Sequence, residues 1–372
     1  MKPEYLKKAN DAEVALYNML PRIDLLEGIQ IDMLKTSEAI KCYDVSYPSE
    51  KYTFLHESAV IVFHDVLFAA WYNNEETELD GKTPIRFARS FDGGKTWTLP
   101  EIVTIDSMGS ILFCPPIFGI CKDKLYMMLN QMVAPDCMHT LDLYLYDEVS
   151  EKFGFLWSRP IPFKLNTNVY KLDNGKLLLP GRVGELDQLP KIPAVMISDS
   201  GEIDNEWRLI KIQENEKLPD GSEFVYPELS AIIDHSKIYA FCRNDNRKIP
   251  IMYMSEDYGE HWTGPYTHDL PFIDVKIYSG TLSNGSSYII GNIHPGRKTL
   301  AIFFSEPGTM RFTKGYILQS GFCEALQYGA RWHYPSAYED KGSLYVIYTV
   351  GMENGQRGAA MSVIDLNSIF NK

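Results

Sequence analysis

No run of about 18 apolar residues occurs in the 372-residue sequence, so a membrane-spanning helix is not expected. Basic residues are in deficit: 36 Lys and Arg face 49 Asp and Glu, a net charge of −13. That balance argues against nucleic acid and anionic membrane surfaces as partners. It leaves room for an anionic substrate, because a local arginine cluster can dominate one cleft. Cysteine is sparse. Cys42, Cys114, Cys121, Cys137, Cys242 and Cys323 contain no Cys-x-x-Cys pair, which removes zinc and thioredoxin-like readings and leaves buried free thiols as the expectation. No phosphate-cradling glycine loop, metal constellation or Cys/His dyad stands out, and no cofactor is expected. The stretch Met1–Lys8 is charged and lacks the apolar core of a secretion signal. As written the chain reads as cytoplasmic; a periplasmic or secreted location would require that a leader had been removed.

Aromatic residues are abundant, at 13% with 23 tyrosines, and hydrophobic residues make up 45%. This suits a large all-β core or a carbohydrate-facing surface. Residues 1–27 carry Ala, Glu, Leu and Lys without alternation and read as an arm or short helix. From residue 28 to 372, short runs of Val, Ile, Tyr and Phe are punctuated by Gly, Asp, Asn and Pro, the pattern of many short strands in one domain.

An octapeptide repeats within that region. Ser90-Phe91-Asp92-Gly93-Gly94-Lys95-Thr96-Trp97 returns as Ser255-Glu256-Asp257-Tyr258-Gly259-Glu260-His261-Trp262, with His261 where the first copy has Thr96. Two degraded copies start at Ser198 and Ser305 and close at Trp207 and Phe312. Similar strand pairs begin near His56, Pro115, Asn168, Glu228, Tyr278 and Tyr334, roughly 50–60 residues apart, and predict six blades of four antiparallel strands. The octapeptides fall where the outer two strands of a blade would turn. Too few residues follow Tyr334 for a full sixth blade, so an N-terminal strand is expected to complete it and remove a sheet edge.

The Ser-x-Asp-x-Gly-x-Thr-Trp pattern resembles the Asp-box of the sialidase superfamily, in particular its BNR-repeat branch, and the resemblance covers most of residues 28–370. It implies a six-bladed β-propeller with a site at the mouth of the central channel. The boxes themselves are expected to be structural: the Asp caps a turn, the Gly takes positive φ and the Trp packs between strands.

Four positions match the family's site in order. Glu228 and Arg243 resemble its Glu and second arginine, Arg297 its third arginine, and Tyr334 its nucleophilic tyrosine. The chemistry is coherent. A sialoside bears a carboxylate at its anomeric carbon that would repel a carboxylate nucleophile but not a neutral phenol. The phenol needs a base, supplied by a glutamate, and arginines clamp the substrate carboxylate. The first arginine of the family is missing, and His56 stands in its place. For the general acid, Glu75 and Glu76 are favoured, with Asp80 the alternative. Arg182, His333 and His294 are further candidates for substrate contact; by strand alternation His333 should point away from Tyr334.

The resemblance thus implies a retaining exo-glycosidase for sialic acid or a similar acidic sugar, with a glycan as partner. Two alternatives remain open. One is different chemistry on the same propeller, either a rhamnosidase-like glycosidase or a uronate lyase using His56, Tyr334 and Arg243. The other is a non-catalytic carbohydrate-binding propeller.

Overall fold

The computed structural model describes residues 8–135, 137–183, 191–213, 215–272 and 274–370. Its strands form six sheets around a central channel, and in the first five blades the strands of the antiparallel core run outward in chain order. Blade 1 comprises Phe54–Phe63, Val66–Asn74, Ile85–Ser90 and Glu101–Thr104. Blade 2 comprises Leu112–Cys121, Lys124–Ala134, Cys137–Asp147 and Lys152–Arg159. In blade 3 the innermost strand is split into Phe163–Leu165 and Tyr170–Lys171, both paired to Leu177–Val183, with Ile192–Ser198 and Arg208–Lys211 outside. Blade 4 has Leu229–Asp234, Lys237–Cys242, Ile251–Ser255 and Thr263–His268, and the short strand Arg22–Ile23 adds to its outer edge in parallel. Blade 5 has Tyr278–Thr281, Ser287–Asn292, Thr299–Ser305 and Phe312–Ser320.

Blade 6 takes three strands from the end of the chain, Arg331–Asp340, Ser343–Gly351 and Arg357–Asp365, and its outermost strand from the beginning, Ile40–Ser46. Ile40–Ser46 runs antiparallel to Arg357–Asp365, with Cys42 opposite Ser362. The inner strands of blades 6 and 1 also pack together, so the ring is closed. The six-bladed propeller and its N-terminal closing strand are as the repeat spacing implies.

Six hydrophobic clusters coincide with the six interfaces between blades. Phe87 and Phe118 share the cluster between blades 1 and 2, Met128 and Met196 that between 2 and 3, and Leu178 and Leu229 that between 3 and 4. Phe241 and Phe303 meet between 4 and 5, Leu300 and Trp332 between 5 and 6, and Trp71 and Met361 between 6 and 1. Because a blade is covered on both faces, its inner strands are buried throughout; all ten residues of Phe54–Phe63 are. This is why the sequence shows apolar runs here in place of clean alternation. The N-terminal arm is tied down in the same way. The helix Asp11–Met19 is capped by Asn10, whose side chain accepts from Glu13 N at 3.0 Å while Glu13 accepts from Asn10 N at 2.8 Å. Its Leu16 buries between blades 3 and 4.

The Asp-boxes sit in the turns between the third and fourth strands. Asp92 accepts from Lys95 N (3.0 Å), Thr96 N (2.9 Å) and Thr96 Oγ1 (2.7 Å), while Ser90 Oγ accepts from Gly94 N (2.8 Å). In the second box His261 Nδ1 meets Asp257 at 2.6 Å, filling the role of the threonine hydroxyl. A side chain at Gly94, whose φ is +86°, would collide with Met361. Third strands run parallel to first strands, so the boxes lie at the rim opposite the starts of the inner strands.

Candidate functional site

The starts of the inner strands and the ends of the second strands converge at one mouth of the channel. They enclose a cavity of about 430 Å³ lined by His56, Glu57, Glu78, Leu79, Pro135, Lys164, Arg182, Tyr226, Glu228, Arg243, Arg297, His333, Tyr334 and Arg357. Five basic side chains face three carboxylates, so a chain that is acidic overall presents a basic pocket.

Glu228 and Arg243 extend the pairing of the first two strands of blade 4 by one residue. Leu229 lies opposite Cys242, and Arg243 N donates to Glu228 O at 2.9 Å. The side chains are therefore cross-strand neighbours, and Arg243 Nη1 reaches Glu228 Oε2 at 2.8 Å. The same Nη1 donates to the Tyr334 hydroxyl at 3.3 Å. Arg297 follows Gly296 (φ 74°) on a short turn, where it donates to His333 Nδ1 at 2.8 Å and lies 5.4 Å from the centre of the Tyr334 ring.

Tyr334 is presented by a break in its strand. The register slips between His333 and Ser336, and Tyr334 adopts φ +49°, a left-handed conformation that tyrosine rarely takes. Blade 1 repeats the device between His56 and Ala59, with Glu57 at φ +48°. The bulge corrects the expectation from alternation: His333 does not turn away from the site but lines it beside Tyr334. His56 packs edge-on against the Tyr334 ring at 4.3 Å and is anchored through Nδ1 to Thr349 Oγ1 at 3.1 Å.

Beneath them lies a buried ionic cluster that the sequence reasoning did not single out. Lys276 Nζ is 3.1 Å from Glu57 Oε2 and 4.9 Å from the centre of the Tyr334 ring. Cys114 Sγ donates to Glu57 Oε1 at 3.2 Å, and Lys164 Nζ lies 3.1 Å from Cys114 Sγ.

His56, Glu228, Arg243, Arg297 and Tyr334 thus share one cavity, joined by Arg182 and His333. The acid candidates fall elsewhere. Glu75, Glu76 and Asp80 are exposed and do not line the cavity; Glu78, in the same loop, does. Asn74 shapes that loop, accepting from Leu79 N at 3.0 Å and donating to Asp80 O at 2.9 Å, while Leu79 packs inward against the core between blades 1 and 2. Leu79, the lone apolar residue in an acidic stretch, was the available signal for which carboxylate turns inward. His294 is exposed and outside the cavity, because the turn that aims Arg297 inward leaves it facing solvent.

Arg357 is a second residue that sequence motifs did not reveal. It opens the third strand of blade 6, its N–H donates to Thr53 O at 2.9 Å, and its guanidinium stacks 4.2 Å from the Phe54 ring. Arg357 Nη1 lies 3.8 Å from Glu78 Oε2. Arg357 thus brings a guanidinium from blade 6 to the cavity that His56 of blade 1 also lines.

Burial sets the protonation of these groups. It pushes the Tyr334 phenol well above its usual value, and the Glu228 charge adds to this, against the opposing Arg243 and Arg297. Partial burial at the cavity rim, where its side chain stays 46% exposed, raises the Glu78 carboxyl, with Arg357 opposing. His56 is held well below the usual imidazole range by burial and then by Arg357. His333 is lowered to about 2, by burial and then Arg297. Burial alone would raise Glu57, but Lys276 and Lys164 outweigh it and hold it ionised.

Residues 65–347 match the model of the BNR repeat-like domain. Among solved structures, a protein of unknown function from Dyadobacter fermentans superposes with a TM-score of 0.70 at 15% identity, over 88% of this chain and 100% of that one. An intramolecular trans-sialidase from Ruminococcus gnavus, bound to oseltamivir carboxylate, gives a TM-score of 0.66 at 13% identity over 86% and 96% of the two chains. A Trypanosoma rangeli sialidase with 2,3-difluorosialic acid, as a covalent intermediate, gives 0.65 at 12% identity; 91% of this chain is covered, but only 61% of that one. No protein with a curated description matches the sequence. At these identities the structural likenesses establish the fold.

Proposed function

Because the chain belongs to the BNR repeat-like family, and because its channel mouth joins a tyrosine, a glutamate and arginines, we propose that it is a sialidase-like retaining exo-glycosidase acting on a terminal carboxylated sugar. The observation that carries the reading is Arg243, whose single Nη1 donates both to Glu228 and to the Tyr334 hydroxyl. Tyr334 is the nucleophile. Its raised pKa means that it must lose its proton during attack, and the Glu228 carboxylate receives it. The new bond joins Tyr334 Oη to the anomeric carbon as the bond to the leaving oxygen breaks. Glu78, whose raised pKa favours the protonated form, gives that oxygen its proton. Glu78 then takes a proton from water, which displaces Tyr334 from the anomeric carbon, and Glu228 returns its proton to the departing phenolate, restoring the phenol. Arg243, Arg297 and Arg357 hold the substrate carboxylate by charge-assisted hydrogen bonds. The covalent intermediate of the Trypanosoma rangeli sialidase supports a two-step course on this fold.

The lyase reading draws less support. It needs a base for a carbon-bound proton, and His56, buried with a strongly lowered pKa and engaged with Thr349, is a weak one.

The test is incubation with 2,3-difluorosialic acid and, separately, with sialylated and uronate-containing oligosaccharides. The expected results are a covalent adduct mapped to Tyr334 and release of the free acidic sugar with its anomeric configuration first retained. An unsaturated, ultraviolet-absorbing product would establish elimination instead. No turnover of any glycan would leave the non-catalytic binding reading.

A further inference from the structure

One buried ammonium lies close to Tyr334 yet stands outside both the proton transfers and the arginine clamp. Lys276 lies two residues before the inner strand of blade 5 and is only 6% exposed. Val275 and Ile277 on either side of it pack into the hydrophobic cluster between blades 4 and 5. Lys276 reaches instead to blade 1, where its Nζ donates to Glu57 Oε2 at 3.1 Å. The same Nζ lies 4.9 Å from the centre of the Tyr334 ring, inside the range over which a cation and an aromatic face attract. Cys114 Sγ donates to the other Glu57 oxygen at 3.2 Å. An ionised Glu57 opposes negative charge on the Tyr334 phenol. Lys276 offsets that carboxylate by direct contact, and burial keeps solvent and salt from screening either charge.

We propose that Lys276 is a positioning residue of the glycosidase site, whose ammonium neutralises Glu57 and stabilises negative charge on Tyr334 in both chemical steps. This rests on the reading of Tyr334 as the nucleophile. In the first step Tyr334 Oη gives its proton to Glu228 as it bonds to the anomeric carbon. In the second that bond breaks and its electron pair returns to Oη. Part of the charge then spreads into the ring until Glu228 returns the proton. Lys276 exchanges no proton in either step. It acts through the Tyr334 ring, by a field already in place before the charge develops. Arg297 also lies near that ring, at 5.4 Å from its centre, but it lines the cavity and shares its charge with the substrate carboxylate. Lys276 does not line the cavity, so the substrate leaves its charge undivided.

The test compares the full chain with Lys276→Met, which removes the charge, and Lys276→Arg, which keeps it; melting curves establish that each is folded. If Lys276→Met does not fold, Lys276→Gln, which still donates to Glu57, replaces it in both assays. The first assay follows an activated aryl sialoside. Lys276→Met is expected to turn over roughly 5–30-fold more slowly. Its KM falls along with kcat, and a burst of aryl alcohol marks the accumulating intermediate, whereas Lys276→Arg recovers most of the rate. The second assay needs no turnover: tetranitromethane attacks phenolates, and peptide mapping is expected to show slower nitration of Tyr334 in Lys276→Met than in wild type. Slower nitration with no sialoside turnover in any of the proteins sinks the glycosidase reading but upholds the action of Lys276 on Tyr334. Equal nitration rates in folded proteins, or a loss of turnover without a burst that Lys276→Arg fails to restore, overturns the proposal.

Discussion

Glu57 and Tyr334 share one backbone conformation on neighbouring inner strands, with φ of 48° and 49° at matching register slips. One bulge aims a carboxylate at the channel floor and the other aims a phenol at its mouth. Lys276 lies between them, 3.1 Å from the Glu57 carboxylate and 4.9 Å from the centre of the Tyr334 ring. Removing the carboxylate takes away the counter-charge that the buried Lys276 ammonium contacts. Glu57→Gln is expected to destabilise the protein by about 3–5 kcal/mol, measured by urea unfolding. A loss below about 1 kcal/mol would mean that Lys276 finds another counter-charge.

Tyr334→Phe keeps the ring and its packing against His56 but removes the hydroxyl proposed as the nucleophile. Hydrolysis is expected to fall by roughly a thousandfold or more, with the melting temperature nearly unchanged. Steady-state kinetics on an aryl sialoside check it, and retention of wild-type turnover would exclude the covalent route through this residue.

Glu78→Gln separates acid catalysis from binding. Substrates with poor leaving groups should slow by about 10²–10⁴-fold, while activated aryl glycosides, which need little proton assistance, slow much less. In the proposed mechanism Glu78 acts first in its protonated form, and its pKa is raised. Activity should therefore decline as pH rises through that pKa, and the alkaline limb should flatten in the variant.

Acid should weaken the fold through its buried imidazoles. The unfolded chain binds protons there near pH 6.5, whereas folded His333 binds one only near about 2 and His268 near about 3, burial being the first cause for both. Between these limits the unfolded state holds more protons, so stability is lost as pH falls below about 6.5, by up to about 1.4 kcal/mol per pH unit for each histidine. His333→Asn is expected to reduce that slope in denaturation curves taken from pH 7 to 4; an identical slope would show that His333 is protonated in the fold.

The propeller was legible because its signals are local and periodic. Ser90–Trp97 and Ser255–Trp262 each carry a whole turn within eight residues, and their spacing marks the blades. Glu228, Arg243 and Tyr334 were legible because each sits at a fixed offset from an inner strand. Glu78 was hidden among four acidic residues, since only the Asn74 clasp and the inward anchor of Leu79 decide which one faces the cavity. Arg357 carries no motif at all; it reaches the site because ring closure sets blade 6 beside Phe54. The direction of His333 was misread because alternation assumes a continuous ladder, and the bulge at Tyr334 breaks it.

The sixth blade joins Ile40–Ser46 to three strands made some 300 residues later. Until those strands exist, the early one has no partner along its edge, and Tyr334 has no finished sheet to hold it. Closure of the ring therefore waits on the last strands of the chain. The placement of Tyr334 thus depends on the pairing of two segments that lie at opposite ends of the sequence.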